Sequence, residues 1–201
     1  YISNESSGKQ GYEIAIALNK LGITTTLITG PSNLIDPKGL KVKKITSADQ
    51  MFDEVKKSLP VDLAVCAAAV TDFKPIKINQ NKIKKENINL KSISFVKNND
   101  ILEYISKNNK NRPRLVAGFS AETENLIKNS IKKINSKHCD LIFANDVSKK
   151  SIGFNSNYNK VSVLDRKGKI IIIPKNKKSF IANKIAKILL DKLLIDDRNI
   201  N

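Results

Sequence analysis

At 201 residues and 40% hydrophobic, the chain is long enough for one sizeable domain and too short to suggest two. No apolar run approaches the roughly 20 residues that span a bilayer, Cys66 and Cys139 lack CxxC spacing, and His138 is the only histidine. A membrane span, a disulfide framework, a zinc site and His-dependent catalysis are therefore disfavoured, and a reducing cytoplasm fits best.

The net charge of +17 invites a nucleic-acid partner, but the lysines are spread along the whole chain and aromatics make up only 5%. Solvated lysine surface and anionic small molecules fit better, with no nucleic acid and no membrane expected as partners.

In chain order, 11–21 reads as a helix with Ile14, Ala17, Leu18 and Leu21 on one face and Gly22 as its stop. A buried strand over 24–29 follows and ends at Gly30-Pro31. Ser47 is placed to cap a second helix, with Gln50 at the capping-box position and Met51, Phe52, Val55 and Leu59 as its apolar stripe. The apolar run 63–69 reads as a central strand covered on both faces. A short strand is expected at 93–96, a short helix at 100–106 behind Asn99, and a core strand at 115–119. Thr123 is expected to cap a helix bearing Ile127, Ile131 and Ile134, and His138 reads as an ordinary helix-end residue. After a strand at 141–144, the runs 160–164 and 169–173 flank Asp165-Arg-Lys-Gly168 as a β-hairpin. A closing helix turns Ile181, Ile185, Ile188 and Leu189 inward. The expected fold class is α/β: a Rossmann-like, mostly parallel sheet flanked by helices, with a C-terminal antiparallel β-hairpin extension.

The stretch 77–91 carries five Lys against one Glu and few apolar residues. Its place after a core strand suits a mobile lid, although a solvated loop is the plainer reading.

Ligands of open α/β sheets bind at the carboxyl ends of strands and at helix N-termini. Four segments reach that edge: Asn4-Glu-Ser-Ser-Gly-Lys-Gln-Gly11, Cys66-Ala-Ala-Ala-Val-Thr-Asp72-Phe, Gly118-Phe-Ser-Ala-Glu-Thr123, and Ala144-Asn-Asp-Val147 followed by Gly153-Phe-Asn-Ser156. The first is neither a GxGxxG nor a P-loop. Each segment taken singly is equally consistent with a turn, a cap or core packing.

Together with KIKK and VKNNDIL, these segments in this order resemble the successive motifs of the phosphopantothenate–cysteine ligase family, over about Tyr1 to Ile195. The resemblance implies that 4'-phosphopantothenate attacks CTP to give an acyl-cytidylate, which L-cysteine then converts to an amide. CTP is the implied co-substrate and Mg²⁺ the accompanying ion, with metal ligands unspecified. It implies catalytic roles for Asn4 and Lys82, and substrate contacts from Asn4, Ala68, Ala69 and Asp72. Implied nucleotide contacts are Ser6, Gly8, Gly11, Cys66, Ala67, Ala68, Asp72, Lys82, Asn99, Asp100, Ile101, Leu102, Phe119, Lys133, Lys137 and Asn145. Lys84 and Lys85 are general electrostatic support.

The resemblance also implies a homodimer, and FMN only where a flavin-dependent decarboxylase domain precedes this one. Family members begin the domain with a strand and a glycine-rich turn, so the expected unit is a single domain over 1–201 lacking those parts. Its missing strand is expected at the sheet centre. Alternatives are a Rossmann-type NAD(P)-dependent oxidoreductase and a basic nucleic-acid-binding module. The first is disfavoured because no GxGxxG follows a strand.

Overall fold

A computed structural model describes residues 4, 6–77, 93–108, 110–148 and 156–198. The described chain alternates helix and strand: α1 (Lys9–Lys20), β1 (Thr26–Thr29), β2 (Lys41–Lys44), α2 (Ala48–Ser58), β3 (Leu63–Cys66), β4 (Phe73–Pro75), β5 (Phe95–Lys97), α3 (Ile101–Lys107), β6 (Leu115–Glu122), α4 (Leu126–Lys137), β7 (Leu141–Asp146), β8 (Tyr158–Asp165), β9 (Ile170–Lys177) and α5 (Lys178–Arg198).

The main sheet runs β3-β6-β7-β8-β9. β3, β6 and β7 are parallel, in the registers Cys66↔Gly118 and Gly118↔Ile142. β8 and β9 are antiparallel and form the expected hairpin across Asp165–Lys169. β1 and β2 form a separate parallel pair, and β4 and β5 an antiparallel one. The protein is thus an α/β fold with parallel strands at its heart and helices on both faces.

Period-two alternation divides the core. Leu115, Ala117, Leu141 and Phe143 face α1 and α5, where Ile14, Leu18, Ile181, Ile185 and Leu189 are buried. Val116, Ile142 and Ala144 face the other way, onto Ile101, Leu102, Ile105 and Ile134 from α3 and α4. Fully buried aliphatic side chains such as Ile185 each hold about 2–5 kcal/mol against truncation to alanine.

Helix ends follow local chemistry. Ser47 Oγ accepts from the Gln50 N–H at 3.2 Å, and the Gln50 side chain returns to the Thr46 N–H at 2.7 Å. Gly22, at φ 82°, closes α1 as expected, because this left-handed position favours glycine.

Several expectations need correction. The cap of α3 is Asp100, which accepts from the Glu103 N–H at 2.9 Å, and Asn99 lies one residue outside. Thr123 caps nothing, because β6 runs on to Glu122, whose carbonyl accepts from Val147 N–H at 3.0 Å. α4 therefore starts later, behind Asn125 at φ 50°. On α4 Ile134 is buried, but Ile131 is 41% exposed. His138 does end α4, in the left-handed conformation.

The strand expected over 63–69 stops at Cys66 and is not central. Among the described residues it lies at one end of the main sheet, bonded only to β6, and all four of its residues are half-buried despite being apolar. β2 and β4 were not anticipated; β2 (KVKK) offers a single apolar side chain as signal.

Candidate functional site

One cavity of about 2180 Å³ dominates the described residues. A typical small-molecule site measures about 300–1,000 Å³, so this space contains more than one ligand-sized compartment. Its inner part lies between β1 and β3, lined by Leu27, Ile28, Ala64 and Val65, with Ile14 and Leu18 of α1 on one side and Met51 and Val55 of α2 on the other. Its mouth opens where β3 and β6 end, at the edge where parallel sheets take ligands.

The α1 side of the mouth is built on glycine. Gly8 precedes the helix at φ 69°, a backbone state that side chains rarely adopt, and no side chain caps the start of α1. Ser6 Oγ accepts from the Gly8 N–H at 3.3 Å, stiffening that turn. A Cβ built on Gly11 would lie 3.6 Å from the Cβ of Ala67, so the helix start and the end of β3 are in van der Waals range. Asn4 Nδ2 donates to the Val70 carbonyl at 3.2 Å, joining the first motif to the second across 66 residues.

Residues 67–72 leave the sheet as an irregular strap of half-buried and exposed residues, with Ala68 and Asp72 exposed. The strap is tied to the next motif: Asn98 N–H donates to the Asp72 carbonyl at 2.8 Å, and Asn98 Nδ2 to the Thr71 carbonyl at 2.8 Å. Burial pushes the Cys66 thiol up to about 12, with negative charge at Cys139 and Asp100 adding to it. Cys66 is therefore a protonated wall of the cavity and no nucleophile at neutral pH.

The α3–α4 side is charged. Lys137 Nζ lies 2.7 Å from Asp100 and 3.1 Å from Glu103, and Lys107 bonds Glu103 at 2.7 Å. The hydrogen bonds from Lys107 and Lys137 hold Glu103 down at about 2. Lys133, one turn before Lys137, donates to the Phe119 carbonyl at 2.9 Å. Both lysines line the cavity while bonded to protein groups. Ile101 and Leu102 are buried and also line the cavity. Phe119 packs on Phe143 at a centroid distance of 5.2 Å and also lines the cavity.

The cavity thus gathers Asn4, Ser6, Gly8, Gly11, Cys66, Ala67, Ala68, Ala69, Asp72, Asn99, Asp100, Ile101, Leu102, Phe119, Lys133 and Lys137. Asn145 stands at the end of β7, beside the cavity lining, not within it. Lys82, Lys84 and Lys85, the remainder of 78–92, and Gly153-Phe-Asn155 lie outside the described residues. Asn98 was missed by sequence reasoning although it sits in a recognised motif. Its Oδ1 is buried at the cavity wall without a partner among the described residues, and burial of one atom leaves no mark in a sequence. Among the described residues no group of three His, Cys, Asp or Glu side chains is placed to hold a metal.

Strand ends, a glycine-turned helix start and flanking lysines define a Rossmann-like α/β domain with an anion-directed ligand cavity. The chain belongs to the family described as the DNA/pantothenate metabolism flavoprotein C-terminal domain, which matches residues 1–193. It is 41% identical over 191 residues to the coenzyme A biosynthesis bifunctional protein CoaBC of Borreliella burgdorferi, covering 94% of this chain and 47% of that protein. The corresponding protein of Escherichia coli is 34% identical over 204 residues, covering 99% of this chain and 49% of its own length. The chain thus spans about half the length of these relatives.

Among solved structures, the C-terminal domain of a CoaBC protein superposes with a TM-score of 0.79 at 28% identity, covering 97% of this chain and 87% of the other. A Cab2 variant in complex with phosphopantothenate-cysteine shares the fold at a TM-score of 0.72 and 16% identity, covering 98% of this chain and 82% of the other.

Proposed function

We propose that this chain is the domain that ligates L-cysteine to 4'-phosphopantothenate at the expense of CTP. The observation that carries the reading is the one cavity into which the Asn4–Gly11, Cys66–Phe73 and Asn98–Leu102 motifs converge, with Asn4 bonded to Val70 of the strap at 3.2 Å. Membership of the pantothenate-metabolism family favours this reaction over the nicotinamide-dependent and nucleic-acid alternatives.

In the first step a carboxylate oxygen of 4'-phosphopantothenate bonds to the α-phosphorus of CTP, and the bond to the β-phosphate oxygen breaks, releasing pyrophosphate. In the second, the cysteine amine bonds to the acyl carbon, loses a proton, and CMP leaves. Both co-substrates are anions, so the protein's main task is to hold them together and in line. The N-terminus of α1, with no side-chain cap, and the Lys133–Lys137 face suit the triphosphate. The Asn4 amide suits the reacting carboxylate because it binds without adding charge. Ala68, Ala69 and Asp72 on the strap suit the pantothenate, and the backbone of Asn99–Leu102 suits the base. Lys82 would neutralise phosphate charge during activation. Mg²⁺ would be held by the phosphate oxygens, in keeping with its preference for substrate phosphates over all-protein cages.

The inner part of the cavity supports a further parallel strand between β1 and β3, completing the sheet at its centre. Half-burial of all four residues of β3, at the end of the described sheet, is what a strand leaves behind when one neighbour is missing beside it. The apolar ribbon of β4 and β5, with Phe73 50% and Phe95 45% exposed, supports a homodimer. FMN belongs to a decarboxylase domain and not to this one. The setting is the cytoplasm; no helix among the described residues is long and apolar enough to cross a membrane.

The test is to incubate the full-length protein with CTP, Mg²⁺, 4'-phosphopantothenate and cysteine. Release of pyrophosphate and CMP that requires 4'-phosphopantothenate is the expected result. Nicotinamide reduction, or retention of RNA without turnover, would overturn the reading.

A further inference from the structure

A chain of three side-chain amides, Gln10, Asn159 and Asn145, runs beside the cavity, and two of them, Gln10 and Asn159, have no role among the implied contacts. Asn159 of β8 is 2% exposed. Its Nδ2 donates to Gln10 Oε1 at 3.3 Å and to Asn145 Oδ1 at 3.2 Å, while its Oδ1 accepts from the Lys160 N–H at 2.9 Å. Gln10 Nε2 donates in turn to the Lys178 carbonyl at 3.3 Å. The chain therefore ties the end of β7 to the first turn of α1 and the first residue of α5.

The oxygen and nitrogen of an amide are ordinarily interchangeable by a flip, so a network of amides has to be oriented from outside. Two backbone groups do that here. The Lys160 N–H can only donate, which fixes the oxygen end of Asn159 and turns its NH₂ toward Gln10 and Asn145. The Lys178 carbonyl can only accept, which fixes the nitrogen end of Gln10 and leaves its oxygen for Asn159. Asn145 must then offer its own oxygen to Asn159, and its NH₂ is turned away. That Nδ2 has no partner among the described residues. The register shift between Asn159 and Val161 in β8 is the local device that brings Lys160 N–H back onto the Asn159 side chain.

We infer that Asn159, held by Gln10 and Lys160, is a positioning residue that compels Asn145 to present hydrogen-bond donors at the ligand edge, where they take an oxygen of the bound nucleotide. Asn145 stands on the side of the sheet where α1 begins, so its donors and the helix N–H groups serve the same anion. The inference rests on the nucleotide reading above and adds to it the polarity of one contact and the residue that sets it.

Asn159→Asp is the decisive substitution. It keeps the shape and the bond from Lys160 but replaces the buried donor by an acceptor. Asn145 then flips to donate to it and shows its oxygen to the nucleotide. Losing a donor to a charged oxygen raises the KM for CTP about tenfold or more in the full-length protein, while KM for cysteine stays unchanged. In an Asn145→Ala background, Asn159→Asp adds nothing further to KM for CTP. Asn145→Asp, which accepts the same bond from Asn159, reproduces the loss and serves if Asn159→Asp does not fold. Additive losses in the double variant, or a KM for CTP within twofold of wild type in either Asp variant, would overturn the inference. A wild-type protein that releases no pyrophosphate from CTP would instead overturn the ligase reading itself, so the two failures are distinguishable.

Discussion

Gly118 is a position at which β6 packs closely against α3. A Cβ placed there would lie 2.6 Å from Leu102 Cδ2, closer than real side chains come, and 3.0 Å from Ile142 Cδ1, a tight contact. Leu102 is 8% exposed and belongs to the α3–α4 core, so it has to leave its rotamer or push α3 outward. Overpacking of this kind costs about 1–3 kcal/mol. For a chain of this size, Gly118→Ala is then expected to lower the melting temperature by about 4–8 °C for a midrange cost of about 2 kcal/mol. Leu102→Ala alone opens a cavity and costs about 2–5 kcal/mol. Combined, the new methyl occupies part of the space that the leucine vacates, so the double variant should be more stable than the sum of the singles by about 1 kcal/mol. Urea unfolding of the four proteins gives the coupling energy directly. Strict additivity would show that Gly118 and Leu102 are not in contact, and the packing of α3 on β6 would have to be redrawn.

Other outcomes follow from the same geometry. Gly8→Ala and Gly22→Ala, at φ 69° and 82°, should each cost about 1–2 kcal/mol of stability in urea unfolding, but only Gly8→Ala should also weaken CTP binding by calorimetry. Glu103 is held from its ordinary 4.5 down to about 2 by Lys107 and Lys137, so its stabilising contribution is intact above pH 4.5 and lost as pH falls toward 2. Glu103→Gln should flatten that part of the acid stability curve measured by circular dichroism. Cys66 and Cys139, pushed up to about 12 and about 11, are protonated at pH 8, and mass spectrometry should find both slow to alkylate until the protein is unfolded.

Legibility in the sequence depended on how local each signal was. The apolar stripe of α5, the Ser47–Gln50 capping pair and the hairpin around Gly168 are all written within one or two turns, and the structure matches them. Strand ends were harder, because whether β6 stops at Phe119 or at Glu122 is decided by its partner β7, whose paired residues Phe143 and Asp146 lie far on in the sequence. β3 shows the limit most plainly: its apolar run reads as central, and nothing in Leu63–Cys66 tells which neighbours the sheet supplies. The site was readable as an ordered set of motifs, but its internal wiring was not. That Lys137 is bonded to Asp100, or that Asn98 buries an oxygen with no partner among the described residues, depends on the docking of α3 against α4 and the strap.

The far end of the sheet, opposite the cavity mouth, has its own consequence. Asp140 takes two contacts from Arg112, at 2.9 and 2.8 Å, and the Val116 N–H at 2.8 Å, while Arg112 Nε also holds the Ser106 carbonyl at 2.9 Å. Arg166 binds the Cys139 carbonyl at 2.8 Å and the His138 carbonyl. One carboxylate thus pins the tail of α3 to the roots of β6 and β7, like the rivet of a fan. A displacement that a ligand imposes on Asp100 would then turn α3 about its anchored tail at Ser106, while β6 and β7 stay laddered out to Glu122 and Asp146.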